Sequence, residues 1–389
     1  MEASAPVPVA PVPSTVRDDV PLPSIAARDW DALALGQPFL RHAFLRPLHE
    51  SGCASPAAGW TPRFLTAWRS GALVGAMPLY AKAHSYGEYV FDWSWADAYR
   101  RHGRRYYPKL VAAVPFTPVS GPRILGADEG VRRALVEAAL ARVADGTHSS
   151  LHLLFTPEGE SRVLVATGMI ARHGVQFHWT NRGWRDFDDF LAAFSHDKRK
   201  KVRQDRRRLA ERGVDFERRI GRATTASDWA FFFRCYEATY AAHGSTPYLT
   251  LSCFERLAEA LGDQAVMVLG RRDGRPLCAA LDVTDGETLW GRHWGTIEEV
   301  PGLHFEACYY QAIEHCLAHG MRRFEGGAQG IHKLARGLEP VLTHSWHAIG
   351  DPEFAAAIEA YCARERAEVA RTVDELRASR PYRRVAGEA

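Results

Sequence analysis

The chain has 389 residues, of which 46% are hydrophobic, 11% aromatic and 24% charged. These proportions are ordinary for a folded globular protein and exclude global disorder, and the length suggests two domains. The 49 basic and 46 acidic residues nearly cancel, to a net charge of +3, so the chain as a whole is not a polycation.

The seven cysteines are scattered, odd in number and never form a Cys-x-x-Cys motif. This spacing favours reduced, mostly buried thiols and a cytoplasmic protein. No stretch approaches about 20 continuous apolar residues, so we expect no transmembrane helix. The first 28 residues are rich in proline and have neither a basic start nor an unbroken apolar run. They predict an extended, unpacked tail and no signal peptide.

Folded structure is expected to begin near residue 29. A mixed apolar face predicts a helix over 38–52, and a strand, a Ser-Gly turn and a second strand follow over 63–82. The aromatic block 86–110 contains two tryptophans and five tyrosines. An amphipathic pattern over 131–143 predicts a helix, which leads to a strand over 150–155.

A similar succession of elements begins again after residue 182. Apolar residues at helical spacing predict helices, and alternating or β-branched runs predict strands. The Asp-Gly pair at 273–274 is a hairpin signal, and Gly320 is a natural helix C-cap. The predicted helices cover 186–194, 227–244, 304–320 and 353–379, and the predicted strands cover 214–220, 266–284 (a hairpin), 288–296, 321–325 and 342–349.

These elements predict a mixed α/β protein. The two predicted hairpins, at comparable places in the two halves, suggest an internal duplication. The predicted parts are an unpacked tail (1–28), a first α/β domain (29–182), a helical basic segment (183–213), a second α/β domain (214–350) and a charged C-terminal helix (351–389).

Most of the charge asymmetry lies in the segment HDKRKKVRQDRRRLAERGV, residues 196–214. Nine of the seventeen residues over 196–212 are Lys or Arg, against three acids. As a helix with Ser195 at its N-cap, it has Val202 and Leu209 as its apolar residues, too few for a core element. Crowded like charges favour an anionic partner, so the segment predicts contacts to a phosphate-bearing ligand or an RNA backbone. The candidate residues are Lys198, Arg199, Arg203, Arg206 and Arg207.

The alternative for this segment is a solvated helix face that Asp205 and Glu211 partly neutralise. The run has no interleaved aromatic residues, which argues against sequence-specific reading of single-stranded nucleic acid. Both the phosphate-binding and the solvated-face interpretations stay open from the sequence.

The segment FEGGAQGIHKLARG, residues 324–337, follows a predicted strand and is rich in glycine. Glycines let backbone N–H groups approach an anion or an oxyanion. The carboxyl end of a strand is a common place for functional groups in α/β proteins. The pattern matches neither a Walker A motif nor the dinucleotide fingerprint, and a tight structural turn is an equally compatible alternative. The candidates are Glu325 and His332 as bases, Lys333 as a catalytic cation, and Gly326, Gly327, Gln329, Gly330 and Arg336 as binding residues.

The aromatic block carries Asp92, Trp93 and Asp97 in the sequence FDWSWAD. Tryptophan and tyrosine at such density are usually core residues, although the two carboxylates beside them are candidates for lining a ligand cleft. His315 and His319 lie four residues apart but lack the His-Glu-x-x-His order, so we expect no metal site.

Long motifs in both halves resemble the FemAB-like family, which is associated with peptidoglycan biosynthesis or recognition and lies within the GNAT acyltransferase superfamily. In the second half these motifs are KRKKVRQDRRRLAERGV and GLHFEACYYQAIEHCLAHGMRRFEGGAQGIHKLARGLEPVLTHSWHAI. In the first half they are HSYGEYVFDWSWADAYRRHGRRYYPKL and VPFTPVSGPRIL. The resemblance covers residues 38–355.

The resemblance implies two GNAT-like domains in tandem, with a substrate cleft between or beside them. Better-known Fem relatives transfer an aminoacyl group from charged tRNA to an amine of a cell-wall precursor, whereas ordinary GNAT domains use acyl-CoA. The implied donor is therefore aminoacyl-tRNA or acyl-CoA, consumed as a substrate, with no permanently bound cofactor. Both reactions need a base and oxyanion donors. Glu325 or His332 suits the base, and the amides of 327–330 or Lys333 suit the oxyanion.

One departure from the GNAT pattern concerns the donor. GNAT domains that bind acetyl-CoA hold its pyrophosphate with a Gln/Arg-x-x-Gly-x-Gly/Ala turn before the central helix. The equivalent segment here, TIEEVPGLH (296–304), carries Glu298 and Glu299, and two carboxylates disfavour an anion. The segment therefore favours a donor other than CoA. The basic segment would then bind the tRNA backbone or the phosphates of a nucleotide-linked acceptor.

Three hypotheses therefore remain open from the sequence. The first is an acyl- or aminoacyl-transferase that acts on an amine acceptor. The second is a non-catalytic module that binds a phosphate-bearing precursor or RNA. The third is an acetyl-CoA-dependent N-acetyltransferase.

Overall fold

The computed structural model describes residues 14–328 and 330–383. A π-helical turn (Glu306–Tyr310) joins helix α10 (Leu303–Phe305) to helix α11 (Gln311–Ala318), so that these segments form one continuous helix. The α-helices are α1 (Ala27–Leu33), α2 (His42–Glu50), α3 (Trp93–Arg101), α4 (Glu129–Ala144), α5 (Ser161–Ala166), α6 (Phe187–Ala192), α7 (His196–Glu211), α8 (Ala226–Ala242), α9 (Leu251–Leu261), α10 (Leu303–Phe305), α11 (Gln311–Ala318) and α12 (Pro352–Ala378).

The strands form a large mixed sheet in the order β10-β11-β12-β13-β14-β9-β15-β8-β6-β5-β2 and a small sheet in the order β1-β3-β4-β7. Their bounds are β1 (Thr15–Arg17), β2 (Trp60–Pro62), β3 (Leu65–Arg69), β4 (Ala72–Met77), β5 (Leu79–Lys82), β6 (Lys109–Ala112), β7 (Leu125–Gly126), β8 (Ser150–Thr156), β9 (Ile170–Thr180), β10 (Val214–Ile220), β11 (Ala265–Arg272), β12 (Arg275–Thr284), β13 (Thr288–Thr296), β14 (Arg323–Ala328) and β15 (Glu339–Ile349).

The two halves of the chain exchange strands within the large sheet. β9 ends the first half, yet it lies between β14 and β15 of the second half and runs antiparallel to both. β15 in turn pairs with β8 of the first half. The division into domains 29–182 and 214–350 remains a prediction. Hydrogen bonds between strands connect these two ranges of the chain.

The prediction of an unpacked tail over residues 1–28 is wrong for residues 14–28. β1 pairs antiparallel with β3, and Leu22 and Ile25 are buried in the main core. Proline does not prevent this packing, because Pro23 lies in the short 3-10 helix Leu22–Ser24, where proline is tolerated. Residues 1–13 lie outside the described part of the chain.

Helices cover both faces of the sheet in the second half. On one face α8 and α9 bury Phe232 and Phe254, which pack edge to face with ring centroids 4.9 Å apart. On the other face the π-helical turn and α11 bury Tyr310, Ile313 and Cys316. Because both faces are covered, strand β12 is nearly continuously apolar in sequence.

The large sheet has a gap between the parallel strands β13 and β14. The two strands pair at Thr288–Trp290 and Arg323–Glu325 and then diverge. β13 remains paired with β12, whereas β14 remains paired with β9 through His178 and Gln176. A cleft therefore begins at the carboxyl end of the short parallel pair, which is where α/β proteins commonly bind ligands.

The predicted helix of the basic segment is present as α7. Val202 and Leu209 are its buried residues, as the narrow apolar stripe predicts. Ser195 occupies the N-cap position, but its hydroxyl accepts no capping hydrogen bond. In the described part of the chain, no helix combines the length and the apolar character needed to cross a membrane.

Candidate functional site

A cavity of about 450 Å³ lies where β13 and β14 diverge. Gly291 of β13 and residues 326–328 of β14 form its walls, and the π-helical turn contributes Cys308 and Tyr309. The first half of the chain contributes Tyr89. The cavity is therefore built from both halves, at the cleft that the strand divergence creates.

A second cavity of about 260 Å³ adjoins the first, and Tyr89 and Ala328 line both. It lies over β9 and β15, against α12. The backbone of Tyr89 has a φ of +62°, which is uncommon for a residue other than glycine and marks local strain. Tyr89 therefore lies at the boundary between the two cavities.

The glycine-rich loop holds its shape through special backbone conformations and one buried cation. Gly327 and Gly330 have φ values of +78° and +105°. A Cβ atom on Gly330 would lie 2.6 Å from Cε1 of His332, so glycine lets the imidazole fold back over the loop. Lys333 is 3% exposed and its Nζ donates to the carbonyl oxygens of Gly327 (3.0 Å) and Ala328 (3.1 Å).

Lys333 and Arg336, which the sequence analysis predicted as a catalytic cation and a binding residue, both contact groups of the protein itself. Burial lowers the pKa of Lys333 to about 8, and its ammonium secures the loop from the inside. The guanidinium of Arg336 lies 3.6 Å from the ring centroid of Phe305 and donates to the carbonyl of His332. Gln329, a further predicted binding residue, lies outside the described residues.

His332 lines the cavity and forms a hydrogen-bonded pair with Tyr309. The Tyr309 hydroxyl lies 3.0 Å from Nε2 of His332. Burial, with the nearby Lys333 and Arg336 charges, lowers the pKa of His332. The imidazole is therefore neutral at pH 7 and able to accept a proton. His304, whose pKa burial lowers to about 4, packs beside it with ring centroids 5.7 Å apart.

Glu325, the other predicted base, lies next to the cavity but does not line it. Its sheet neighbours are Trp290 and His178, and its Oε2 lies 3.8 Å from Nε2 of His178. Burial raises its pKa to about 7, against the opposing effect of Arg323. Glu325 is poised to titrate near neutrality, but its side chain shares the face of the sheet with Trp290. Of the two predicted bases, His332 is the one that lines the cavity.

Two charged residues that line the cavity were missed by the sequence analysis. Asp282 of β12 is 2% exposed, and Arg292 of β13 donates from Nη2 to the carbonyl oxygen of Phe116 at 3.0 Å. The available signal was a charge inside an apolar strand, since Asp282 interrupts PLCAALDVT and Arg292 interrupts TLWGRHWGT. Charged side chains are seldom buried without a specific reason.

Asp92 belongs to a buried ion cluster in the first half of the chain, away from the cavity. Its carboxylate accepts from Lys109 and from the Tyr106 hydroxyl, and Lys109 also pairs with Glu88 at 2.8 Å. Burial acts to raise the pKa of Asp92, but Lys109 and other neighbours lower it to about 2. His152 extends this cluster, with Nε2 3.3 Å from the Tyr106 hydroxyl.

The other two candidates of the aromatic block lie at the surface. Trp93 is 40% exposed and packs edge to face with Tyr86, with ring centroids 4.8 Å apart. Asp97 forms exposed ion pairs with Arg100 and Arg101 of the same helix. The structure therefore does not bring Asp92, Trp93 and Asp97 together in one cleft.

Several of the predicted phosphate-binding cations of α7 form ion pairs with acidic residues of the protein. Arg206 pairs with Glu306 at 2.8 Å and with Glu314 at 2.6 Å, which fixes α7 to the helix that contains the π-helical turn. Arg203 pairs with Asp188 of α6 at 2.8 Å. The neutralisation considered from the sequence is also present, in the pairs Lys201–Asp205 and Arg207–Glu211.

A groove of about 350 Å³ nevertheless runs along one exposed side of α7. The basic residues that line it recur three or four positions apart and therefore share one face of the helix. We refer to them as the basic stripe: His196, Arg199, Lys200, Arg203 and Arg207. Lys198 is exposed but does not line the groove.

The segment before α10 has a different charge balance from the one expected. Glu298 forms a two-oxygen ion pair with Nη2 of Arg272, at 2.7 Å to each oxygen. Glu299 is exposed. Arg272 therefore offsets one of the two carboxylates that were expected to repel a pyrophosphate. Within the described residues, no group of three or more His, Cys, Asp or Glu side chains is arranged to hold a metal ion.

Comparisons with known proteins agree with this architecture. A family model for FemAB-like proteins, described as peptidoglycan biosynthesis/recognition, matches residues 21–384. The fold is similar to that of FemX, with a TM-score of 0.52, 14% identity, and coverage of 86% of this chain and 98% of FemX. It is also similar to a C-terminal domain of a putative lysylphosphatidylglycerol synthetase from Agrobacterium fabrum, with a TM-score of 0.51, 13% identity, and coverage of 87% and 95%. No curated protein matches the chain.

The chain has a mixed α/β fold similar to that of FemX, with a helix near its C-terminal end, as the sequence predicts. More particularly, it belongs to the FemAB-like family. The identities to these solved structures are 14% and 13%, and the structures define the fold.

Substituting Asp92 tests the assignment of Asp92 and Asp97 to different environments. Asp92→Asn leaves Lys109 with a weakened set of buried partners and should cost about 3–5 kcal/mol in the free energy of unfolding. Because the pKa of Asp92 is lowered, its contribution is present above the unfolded pKa of about 3.9 and is lost as the pH falls towards 2. Urea unfolding at pH 7 and pH 3 measures both effects.

Asp97→Asn is the matched control, because it makes the same chemical change in an exposed ion pair. It should alter the free energy of unfolding by less than about 1 kcal/mol. Equal effects of the two substitutions would contradict the buried-cluster assignment.

Proposed function

We propose that this protein is an acyl- or aminoacyl-transferase that moves an acyl group onto an amine, with the cavity between β13 and β14 as the reaction site. The observation that carries the proposal is the position of His332, which is hydrogen-bonded to Tyr309 and lines the same cavity as the glycine-rich loop. Membership of the FemAB-like family supports a cell-wall precursor as the class of acceptor.

The proposed chemistry is nucleophilic acyl transfer. The acceptor nitrogen attacks the acyl carbon of the donor, a C–N bond forms, and the ester C–O or thioester C–S bond breaks. His332 takes the proton that the nitrogen loses and returns it to the leaving oxygen or sulfur. We assign backbone N–H groups of the glycine-rich loop to the oxyanion, and Lys333 to holding that loop.

The donor is either aminoacyl-tRNA or acyl-CoA. The basic stripe supports an RNA donor or a nucleotide-linked acceptor, because an exposed row of cations on one helix face suits a phosphate backbone. The pairing of Glu298 with Arg272 supports acyl-CoA as a second candidate, because it weakens the repulsion of a pyrophosphate at the start of α10. The seven free thiols support a cytoplasmic location.

Replacing His332 tests its role as the base. His332→Gln should lower kcat by a factor of about 10² to 10⁴ with little change in KM, because it removes a proton acceptor and leaves the cavity intact. The rate of the wild-type protein should rise with pH as the imidazole loses its proton, and this rise should be absent in the variant. The assay follows transfer of a labelled acyl group from charged tRNA or acetyl-CoA to a nucleotide-linked cell-wall precursor.

Two further variants complete this test. His102→Gln changes an exposed histidine at the C-terminal end of α3 and should leave kcat unchanged. Tyr309→Phe removes the hydrogen bond to Nε2 and should give a smaller loss with a displaced pH profile. Full activity of His332→Gln would remove His332 from the mechanism.

The basic stripe generates a second prediction. The double substitution Arg199→Gln and Lys200→Gln should weaken tRNA binding and reduce the slope of log Kd against log salt by about 0.7–0.9 for each phosphate that the variant no longer neutralises. The control is Arg208→Gln with Arg212→Gln, which removes the same charge from residues outside the groove. Filter binding over a range of salt concentrations measures the slopes, and equal slopes for the two double variants would contradict a specific role for the stripe.

A further inference from the structure

Asp282 is a buried carboxyl group in the wall of the reaction cavity. It lies in β12 directly opposite Gly291 of β13, next to a β-bulge between Leu281 and Asp282. It is 2% exposed, and it lines the cavity together with Cys308. Because Gly291 has no side chain, nothing on that residue covers the carboxyl from the side where β13 and β14 diverge.

The structure gives this carboxyl group no partner. Its Oδ2 is buried without a hydrogen bond, and no ion pair to it is present within residues 14–328 and 330–383. The two cations that share the cavity are directed to other acceptors, since Lys333 donates to loop carbonyls and Arg292 donates to the carbonyl of Phe116. Burial alone raises the pKa of Asp282 well above its usual range.

A buried carboxyl without a partner destabilises a protein, so its presence in a cavity wall points to a ligand that supplies the partner. An anion such as phosphate cannot stabilise the ionised form of this carboxyl group, because both would carry negative charge. A primary ammonium group carries the opposite charge and three N–H donors, which match the acceptor capacity of a carboxylate. The proposed reaction uses a substrate with such a group, since its acceptor is an amine.

We propose that Asp282 is the receptor for a primary ammonium group of a substrate, and that it makes the cavity selective for ammonium-bearing substrates. This inference rests on the proposed function, because it identifies the reaction cavity with the cavity that Asp282 lines. The ammonium group has two possible sources, the acceptor amine and the α-amino group of an aminoacyl donor. An acceptor ammonium becomes nucleophilic only after it passes one proton to the Asp282 carboxylate, and His332 then takes the second proton as the C–N bond forms. Both sources present the same chemistry to Asp282, and the experiment separates them.

The test compares two probes by isothermal titration calorimetry. The donor probe is 3′-(alanylamino)-3′-deoxyadenosine, a stable amide mimic of the aminoacyl end of tRNA. The acceptor probe is Nα-acetyl-lysine amide, which has one primary ammonium group. The wild-type protein should bind at least one probe about tenfold or more tightly than the same compound with its amino group acetylated. The probe that shows this preference identifies the source of the ammonium group.

Asp282→Asn should abolish the preference while the affinity for the acetylated compound stays the same. Binding of the ammonium probe to the wild-type protein should also be accompanied by proton release, because the carboxyl ionises, and the variant should release no protons. Titrations in buffers of different ionisation enthalpy measure this proton release. A preference that survives in Asp282→Asn, or binding of neither probe to the wild-type protein, would overturn the proposal.

A matched variant separates this role from a structural one. Asp228 is also buried, but it caps α8 and pairs with Arg219. Asp228→Asn should therefore lower the melting temperature and keep the ammonium preference. Asp282→Leu should keep or raise the melting temperature, because it replaces an unpartnered carboxyl group. A large fall in melting temperature for Asp282→Leu would instead indicate that Asp282 has a structural role.

Failure of the proposed function would give a different pattern. An Asp282-dependent ammonium preference in a protein that transfers no acyl group would contradict the proposed function and leave the ammonium receptor standing. Acyl transfer that does not respond to Asp282→Asn, with no ammonium preference, would contradict the ammonium receptor and leave the proposed function standing.

Discussion

The divergence of β13 and β14 is the constraint on which the candidate site depends. β13 stays paired with β12, and β14 stays paired with β9, a strand that comes from the first half of the chain. The parallel pair therefore separates after three residues, and the gap between the strands becomes a cavity. Because β9 and β15 are exchanged between the halves, the same hydrogen bonds that join the halves also hold the cleft open. The site is thus a property of the whole sheet.

Two sites with buried charged residues differ in whether those residues have partners within the protein. This difference distinguishes a structural role from a ligand-binding role. In the first half, Lys109 is satisfied by Glu88, Asp92 and a serine hydroxyl, so the cluster is internally paired. In the cavity wall, Asp282 lacks such partners within the described residues. A paired cluster specifies a fold, whereas an unpaired group at a cavity is a cost that a ligand can offset.

Local patterns in the sequence predicted the elements and the loop, and long-range pairing accounts for what they did not predict. The Asp-Gly hairpin, helix α7 and the glycine-rich loop follow from turn chemistry, charge and glycine content, which act over a few residues. The exchange of β9 and β15 and the packing of residues 14–28 depend on partners far along the chain. For the same reason Glu306 and Glu314 were not foreseen as partners of Arg206. Asp282 had a local signal, a charge in an apolar strand, but its burial beside a cavity required the fold.

The most direct test of the central claim is a crystal structure of the protein with a donor analogue. Crystals should be grown with the stable amide mimic of an aminoacyl-tRNA end and, separately, with acetyl-CoA. The account predicts that the acyl group of one of them lies between Gly291 and residues 326–328, with its carbonyl oxygen about 3 Å from backbone N–H groups of the glycine-rich loop. An acyl group bound elsewhere, with this cavity empty in both crystals, would contradict the assignment of the cleft between β13 and β14 as the reaction site.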